Sequence, residues 1–326
     1  MEKLQGIIEC FDRARLLVVG DIILDQYIWG NVERISPEAP IPVVEVVRES
    51  VALGGAANVA NNIAALGAKA DICGIIGDDL SGRQLLEMLK SKHIGAEAVL
   101  SVPDRMTTLK SRVVAHKQQI VRVDRENKAE VTGPLFEELI SRIEKALPEV
   151  DAVILEDYGK GIIHEALLKK IVPMAREADK IITVDPKKDH FDLYQGVTAI
   201  TPNQVEAESA AGTTISTPDG LNKIKTGLLD RLQCRALLIT LGEKGMCLIE
   251  EGQPPLQIPA RAREVYDVSG AGDTVIAVFT TALVAGATLR EAALLSNLAG
   301  GMVVEKLGTA TVTREELMAR LPEIIS

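Results

Sequence analysis

The stretch EVYDVSGAGDTVIAVF, residues 264–279, sets three small residues in a row, Gly270, Ala271 and Gly272, before Asp273 and an apolar segment. Ordering a glycine costs backbone entropy, and a lone carboxylate at the edge of an apolar segment does not fill a core. The small residues can leave successive N–H groups pointing outward at the start of the helix predicted to follow. Such a nest, reinforced by the positive end of the helix dipole, favours an anion.

Asp273 lies beside this nest, where it can accept a proton from a hydroxyl group. A cradle that stabilises charge on a transferring phosphoryl group, next to a carboxylate that orients the attacking oxygen, is what phosphoryl transfer requires. We expect the helix terminus to keep Asp273 ionised and hence a weak base, which is acceptable where the proton leaves late. The alternative interpretation is an Asp N-cap after a flexible turn.

The composition of the 326 residues indicates an aliphatic core, since 47% are hydrophobic but only 3% are aromatic. A core of Val, Ile, Leu and Ala suits a buried parallel sheet flanked by helices. The net charge of −10 and the few aromatic residues argue against a nucleic-acid partner. No apolar run approaches membrane-spanning length, the N-terminus lacks a signal-peptide pattern, and the four scattered cysteines fit reduced thiols. We therefore expect a cytoplasmic protein that binds neither membrane nor nucleic acid.

Short apolar runs alternate with segments of helical period. The strand candidates are residues 15–20, 70–76, 151–156, 180–185, 197–201 and 235–240. The helix candidates are residues 56–66, 81–91, 134–147, 163–177, 203–211, 219–232, 274–285, 289–305 and 314–321. This alternation predicts an α/β fold with a doubly wound, mainly parallel sheet flanked by helices, in a single domain over residues 1–326.

Two segments, 41–53 and 107–126, interrupt this alternation, because each has a partly polar strand pattern without a helix. They form either a small separate sheet over the mouth of the large one or an ordinary edge hairpin. The pattern alone leaves both interpretations open.

Polar or glycine residues follow five of the predicted strands directly. In open α/β sheets ligands bind beyond the carboxyl ends of the strands, so these residues are predicted to meet at one rim. They are Asp21 and Asp25, Asp157 and Lys160, Asp185 and Lys187, Asn203 and Glu206, and Gly242 and Gly245. Each pair alone fits an ordinary polar loop, but five in succession indicate an active-site rim.

The segment LGGAANVANNIAALG, residues 53–67, is a glycine turn that opens a helix. Its first N–H groups are unpaired and can meet a polar ligand, and Asn58 can hydrogen-bond a sugar hydroxyl. The alternative is a tight strand–helix junction packed with alanine. The chain contains neither a Walker loop nor a dinucleotide fingerprint in the first βα turn, which argues against a nicotinamide dehydrogenase.

Four motifs, GGAANVA, TPNQVE, LITLGEKG and DVSGAGDTV, resemble the signatures of the ribokinase-like PfkB carbohydrate kinases, in order and across essentially the whole chain. The resemblance implies a ribokinase-like fold, ATP as phosphoryl donor, Mg²⁺ as cofactor and a sugar as acceptor. It also implies a small β lid made of residues about 26–53 and 107–126, which in many relatives forms a homodimer interface.

Within the family, VVGDIILDQYIWG, RISPEAPIPVV, EDYGKG and KLGTATV look most like the branch that phosphorylates O1 of D-glycero-β-D-manno-heptose 7-phosphate. That reaction gives heptose 1,7-bisphosphate for ADP-heptose and lipopolysaccharide core synthesis. Some members of the branch carry a C-terminal adenylyltransferase domain, which we do not expect here.

The resemblance implies roles for single residues. Asp273 is implied as the base that takes the proton from the sugar O1 hydroxyl, with Gly270, Ala271 and Gly272 as the anion hole. The residues implied to position Mg²⁺ with the nucleotide, through water, are Asn203 and Glu206, and those implied to line the nucleotide site are Thr240, Gly242, Gly245 and Asn297. The residues predicted to bind the sugar are Asp21, Asp25, Gly54, Gly55 and Asn58. Relatives are known to bind a monovalent cation such as K⁺ beside the anion hole. The residues compatible with such a site here are Asp267, Ser269 and 306–309. Val268 stands where the wider family often has Thr, which we interpret as a feature of the branch.

A heptose 7-phosphate carries about two negative charges, which an acidic protein must offset locally. Lys160, Lys187 and Arg112 are the predicted ligands, and Arg112 would suit bidentate phosphate recognition. For Lys110 and Arg34 a solvated surface charge is the favoured interpretation. Two alternatives stay open: a family kinase of another sugar, sugar phosphate or nucleoside, and a non-catalytic sugar or nucleotide sensor, although a sensor has no use for a base.

Overall fold

The computed structural model describes residues 1–116, 118–217, 219–262 and 264–324, which form two β-sheets with flanking helices. The strands are β1 (Arg15–Gly20), β2 (Ile22–Ile35), β3 (Pro42–Gly55), β4 (Lys69–Gly77), β5 (Gly95–Val102), β6 (Thr108–Ala115), β7 (Gln118–Arg125), β8 (Ala152–Glu156), β9 (Ile181–Asp185), β10 (Ala199–Ile200), β11 (Ala236–Thr240), β12 (Met246–Glu250) and β13 (Leu256–Ile258). The α-helices are α1 (Glu2–Glu9), α2 (Ala56–Ala65), α3 (Leu80–Ser91), α4 (Gly133–Ala146), α5 (Glu165–Glu177), α6 (Gln204–Ala211), α7 (Gly220–Ile224), α8 (Ala271–Val284), α9 (Leu289–Val303) and α10 (Arg314–Arg320).

The central sheet runs in the order β13-β12-β11-β10-β9-β8-β1-β4-β5. Its strands pair in parallel from β11 to β5, while β12 and β13 pair antiparallel at one edge. Alternate residues of β1 face opposite layers: Leu17 and Val19 belong to the core with α4 and α5, whereas Leu16 and Val18 belong to the core with α2. The predicted doubly wound sheet is confirmed, and its aliphatic strands are buried on both faces.

The register of the central strands brings carboxylates together at the rim. Glu156, the last residue of β8, is opposite Gly20 on one side and Asp185 on the other. Partners across parallel strands project to the same face of a sheet, so the Glu156 and Asp185 side chains are neighbours. This edge of the sheet therefore places a dense set of acidic groups below α8.

The four strands β3, β2, β6 and β7 form a separate sheet in that order, which we call the lid. β2 and β6 pair in parallel, and the two outer pairs are antiparallel. The edge-hairpin interpretation of residues 41–53 and 107–126 is therefore wrong. The lid exposes several apolar side chains, Ile35, Ile41, Val46, Val47, Ile120, Val121 and Val123.

Several short elements differ from the sequence prediction. The strand predicted at 197–201 is reduced to β10, and the helix predicted at 219–232 is divided into α7 and a π-type turn over Lys225–Asp230. The pattern also missed α1, β5 and the antiparallel edge of β12 and β13. The two-residue β10 and the five-residue α7 contain too few residues for a hydrophobic period to stand out.

Within the described ranges, none of the helices combines the length and the apolar character needed to cross a membrane.

Candidate active site

The first turn of α8 brings its backbone close to the Asn58 side chain. Its N-cap, Gly270, has a φ of +77°, and a Cβ atom there would lie 2.7 Å from Nδ2 of Asn58, so the position requires glycine. In the described part of the chain no side chain caps this terminus. Because the first N–H groups of a helix have no acceptor inside it, those of Gly272 and Asp273 remain available to an anion.

The Asp273 carboxylate is buried and held by two donors. Asn58 Nδ2 donates to Oδ2 at 2.6 Å, and the Tyr158 hydroxyl donates to Oδ1 at 3.1 Å. Burial raises the pKa of Asp273 to about 6, although the hydrogen bonds from Asn58 and Tyr158 act in the opposite direction. The expectation of a weak base is therefore wrong, since desolvation outweighs the two hydrogen bonds.

Asn58 reaches Asp273 because α2 packs directly against α8. The α2 helix starts after Gly55, whose φ is +55° and whose Cβ would lie 2.5 Å from the Asp21 carbonyl oxygen. Thr274 Oγ1 donates to Asn62 Oδ1 at 2.9 Å, and Asn62 Nδ2 donates to the Asn58 carbonyl at 2.9 Å. The Asn58 group that accepts this bond is its main-chain carbonyl, so this buried polar chain ties the α2 backbone to the first turn of α8.

Asp21, predicted to bind sugar hydroxyls, organises a loop in this structure. Its carboxylate accepts the N–H groups of Tyr158 and Lys160, each at 2.9 Å, and that of Ile162 at 3.3 Å. Burial raises the pKa of Asp21 to about 6. Asp21 thereby holds the loop that delivers Tyr158 to Asp273.

The predicted sugar ligand Asp25 is paired with a predicted phosphate ligand. Arg112 Nη1 contacts Asp25 Oδ1 at 2.5 Å, and the guanidinium also lies over the Tyr27 ring, 5.4 Å from its centroid. A Cβ atom at Gly54 would collide with Asp25 Oδ2, so glycine leaves room for this carboxylate. Lys110 lies over the Tyr158 ring at 4.7 Å from its centroid, while Arg34 is exposed in the lid.

Three carboxylates converge beneath the start of α8. Oxygen atoms of Glu156, Asp185 and Asp273 all lie within 4.8 Å of one another. Burial, followed by the charge of Asp185, raises the pKa of Glu156 well above its usual value, and burial together with Asp273 does the same for the pKa of Asp185. Such a cluster needs a proton or a cation between its members, and carboxylate oxygens are ligands suited to Mg²⁺.

The two predicted magnesium-positioning residues cap α6. Asn203 Oδ1 accepts the N–H group of Glu206, and Glu206 Oε2 accepts that of Asn203, both at 2.9 Å. Burial raises the pKa of Glu206, and the charge of Glu206 is felt at Asp185, where it raises the pKa further. Glu206 therefore lies within electrostatic range of Asp185.

The four residues predicted to line the nucleotide site share one cavity of about 470 Å³, which we call the nucleotide cavity. They are Thr240, Gly242, Gly245 and Asn297, and Ala271 and Gly272 line the same cavity. Asn297 is fixed by a 2.8 Å hydrogen bond from Nδ2 to the Pro259 carbonyl. The cavity thus reaches the free N–H groups of α8.

Asp267 joins two loops at the same terminus. Its Oδ1 accepts the N–H group of Ser269 at 2.9 Å, and its Oδ2 accepts that of Gly308 at 3.0 Å. The predicted cation residues are therefore brought together with segment 306–309.

Lys160 and Lys187 line a second cavity, of about 270 Å³, together with Tyr158. We call it the lysine cavity. Arg112 is not among its lining residues, because its guanidinium is engaged with Asp25.

Sequence reasoning missed two residues of the site. Glu156 ends an apolar strand, and a carboxylate in that position was the available signal. Tyr158 lies in the loop DYGKG, where nothing in the pattern distinguishes a half-buried tyrosine from an exposed one.

Comparison with solved structures shows the fold. Arabidopsis thaliana ribokinase complexed with ribose and ATP superposes with a TM-score of 0.74 at 19% identity, covering 94% of this chain and 98% of that one. Phosphofructokinase-2 from Escherichia coli, in complex with substrates and products, superposes with a TM-score of 0.79 at 18% identity, covering 96% and 100%. The ribokinase-like fold is confirmed.

Sequence relatives are closer. The bifunctional protein HldE of Desulfatibacillum aliphaticivorans is 43% identical over 97% of this chain, and that of Citrifermentans bemidjiense is 44% identical over 95%. The matches cover 65% and 64% of those proteins, so the chain spans less than two thirds of their length. Residues 13–316 match the pfkB family carbohydrate kinase. The chain therefore belongs to the pfkB family of carbohydrate kinases.

Proposed function

We propose that this chain transfers the γ-phosphoryl group of ATP to O1 of D-glycero-β-D-manno-heptose 7-phosphate, within ADP-heptose and lipopolysaccharide core synthesis. One observation carries the proposal: Asp273 lies next to residues of both cavities. It follows residues that line the nucleotide cavity, and it accepts a hydrogen bond from Tyr158, which lines the lysine cavity. A kinase whose acceptor carries its own phosphate needs a donor site on one side of the base and a basic pocket on the other. Similarity to HldE proteins supports the choice of a heptose.

The chain's own residues account for the transfer. Asp273 takes the proton of the attacking hydroxyl, and Asn58 and Tyr158 hold its carboxylate in place. The N–H groups of Gly272 and Asp273 stabilise charge on the transferring phosphoryl group. A pKa of about 6 makes Asp273 a stronger base than an exposed aspartate while leaving it mostly ionised at neutral pH.

The positive charge of Mg²⁺, when it is bound with ATP, neutralises charge on the phosphates. The carboxylates of Glu156 and Asp185 fit this ion, and Asn203 and Glu206 would act on it through water. Asp267 and Ser269 are the proposed neighbours of a monovalent cation such as K⁺.

We also propose a cytoplasmic homodimer formed through the lid. The support is the set of apolar lid side chains that are exposed in the single chain, among them Val47 and Val121. Burial of such side chains favours association.

A panel of acceptors tests the reaction. ADP release is measured with heptose 7-phosphate, heptose, ribose, fructose 6-phosphate and a nucleoside. We expect turnover to be highest with heptose 7-phosphate. Higher turnover with another sugar would favour the alternative family kinase, and ATP and sugar binding without turnover on any acceptor would favour a sensor.

A further inference from the structure

The lysine cavity contains more basic groups than sequence reasoning assigned. Besides Lys160 and Lys187, it is lined by Lys128 and His190. The acidic residues Glu130 and Asp189 also line it, and both are exposed. The three lysines and His190 come from three separate segments of the chain, so the fold assembles the cavity.

Two of the lysines are held side by side by one carboxylate. Glu126 Oε1 lies 3.1 Å from Lys128 Nζ, and Glu126 Oε2 lies 2.5 Å from Lys160 Nζ. The Lys160 side chain is only 14% exposed, so its ammonium group has lost most of its water. Arg105 Nη2 donates to the Lys160 carbonyl at 2.5 Å and to the Asn127 carbonyl at 3.3 Å, which ties the two lysine-bearing loops together.

His190 is oriented in a similar way. Its Nδ1 lies 2.6 Å from Asp157 Oδ2, which also accepts the Tyr194 hydroxyl at 2.6 Å. A buried carboxylate can only accept, so Nδ1 carries a proton and Nε2 is left for a ligand. The same Asp157 accepts the N–H group of Gly159 through Oδ1 at 2.8 Å, which joins His190 to the Lys160 loop.

We propose that Lys128, Lys160, Lys187 and His190 form the subsite for a phosphate monoester at the end of the acceptor farthest from the reacting hydroxyl. The inference rests on the proposed function and names the residues that select its substrate. Tyr158 relates the subsite to the base, because it lines the lysine cavity and its hydroxyl donates to Asp273 Oδ1 at 3.1 Å. An acceptor that reaches both the lysine cavity and Asp273 must extend past Tyr158.

The charge favours a phosphate over a carboxylate. A phosphate monoester brings nearly two negative charges and three acceptor oxygens, so several ammonium groups can share it. A carboxylate brings one charge, and Glu126 already provides one to Lys128 and Lys160. Arg112 has no part in this subsite, since it is paired with Asp25.

Binding of a non-reacting acceptor tests the subsite. The probe is the 1,5-anhydroheptitol 7-phosphate, which lacks the anomeric hydroxyl, and the reference is the same compound without phosphate. Both are titrated calorimetrically into the full chain in the presence of a non-hydrolysable ATP analogue. We expect Lys160→Met to weaken binding of the phosphate probe by about 10- to 100-fold, the usual effect of losing a charged hydrogen bond. Lys128 is more exposed, so Lys128→Met should weaken it by about three- to tenfold.

The matched control is Lys169→Met. Lys169 is an exposed lysine paired with Glu165 on α5, outside the lysine cavity, and its loss should leave both affinities unchanged. Thermal unfolding of each variant checks that it folds. The proposal is overturned if the lysine variants weaken both compounds equally or neither. It is also overturned if the unmodified chain binds the phosphate probe no better than the reference.

Turnover of heptose 7-phosphate is measured separately. Lysine-dependent binding of the phosphate probe without turnover would overturn the proposed reaction and support the subsite. Turnover that survives both lysine substitutions unchanged would support the reaction and overturn the subsite.

Discussion

The helices of this chain begin in two different ways. The α6, α9 and α10 helices each start with a reciprocal capping box, formed by Asn203 with Glu206, Thr288 with Glu291, and Thr313 with Glu316. The α8 helix starts at a glycine, without a side-chain cap in the described part of the chain. A capped terminus satisfies its own N–H groups, whereas an uncapped one leaves them for a ligand. The boxes of α9 and α10 serve the fold, and the box of α6 also holds the two residues proposed to act on Mg²⁺. The open start of α8 lines the nucleotide cavity.

Replacing the carboxylate at the uncapped terminus should have the largest effect. Asp273→Asn removes the base and keeps the free N–H groups, so turnover should fall by about 10²- to 10⁴-fold while ATP binding persists. Initial rates measure the turnover, and calorimetric titration with ATP measures the binding. Near-normal turnover of the variant would remove Asp273 from the mechanism.

Closing the glycine approach should have the next largest effect. Gly270→Ala places a Cβ atom 2.7 Å from Asn58 Nδ2 and strains a φ of +77°. Because Asn58 is fully buried and holds Asp273, we expect a loss of about 10- to 100-fold in turnover, comparable to losing a charged hydrogen bond. Initial rates at saturating ATP and acceptor measure the loss.

Gly286→Ala, just beyond the other end of α8, is the matched control. Gly286 has a φ of +90°, and a Cβ atom at this position would have nothing within 4 Å, so the substitution brings the backbone strain without the contact. Equal losses in turnover for the two variants would show that the approach to Asn58 is irrelevant.

The pH dependence of turnover shows whether burial or the helix dipole determines the pKa of Asp273. Turnover requires ionised Asp273, whose pKa is raised to about 6. We therefore expect kcat/KM to be constant above pH ~7.5, about twofold lower at pH 6 and about tenfold lower at pH 5. A dipole-dominated carboxylate would keep nearly full activity at pH 5. Because the folded pKa exceeds the unfolded one, the contribution of this group to stability is present below pH 3.8 and is lost as pH rises through 6. A pH–rate profile checks the expected turnover, and unfolding measurements over the same pH range check the expected stability.

Local sequence predicted the parts of the site that local chemistry determines. The glycine run before Asp273, the glycine turn before Asn58 and the strand-to-helix alternation all have short-range signals. The capping pair of Asn203 and Glu206 has one too, because the spacing of three residues is a cap signature.

What sequence could not predict depends on strand register and burial. Glu156 and Asp185 are far apart in the chain, and only the pairing of β8 with β9 makes them neighbours. The pKa of Asp273 follows from desolvation by the elements packed around it, so reasoning from α8 alone gave the wrong direction. Arg112 is a predicted phosphate ligand by residue type, and its pairing with Asp25 in the lid depends on strand register, which the sequence pattern does not reveal.

Removing a cap should give the smallest effect on activity and complete the comparison. In Thr288→Ala, α9 loses the 3.2 Å bond from the Glu291 N–H group to Thr288 Oγ1, at a cost of about 1 kcal/mol in the free energy of unfolding. For a chain of this size that corresponds to a midpoint about 2 °C lower. Turnover should not change, because the N–H groups of α9 serve the fold alone. Calorimetric unfolding measures the stability, and initial rates measure the turnover. A loss of turnover without a loss of stability would mean that the cap of α9 also serves the reaction, and the contrast between α9 and α8 would fail.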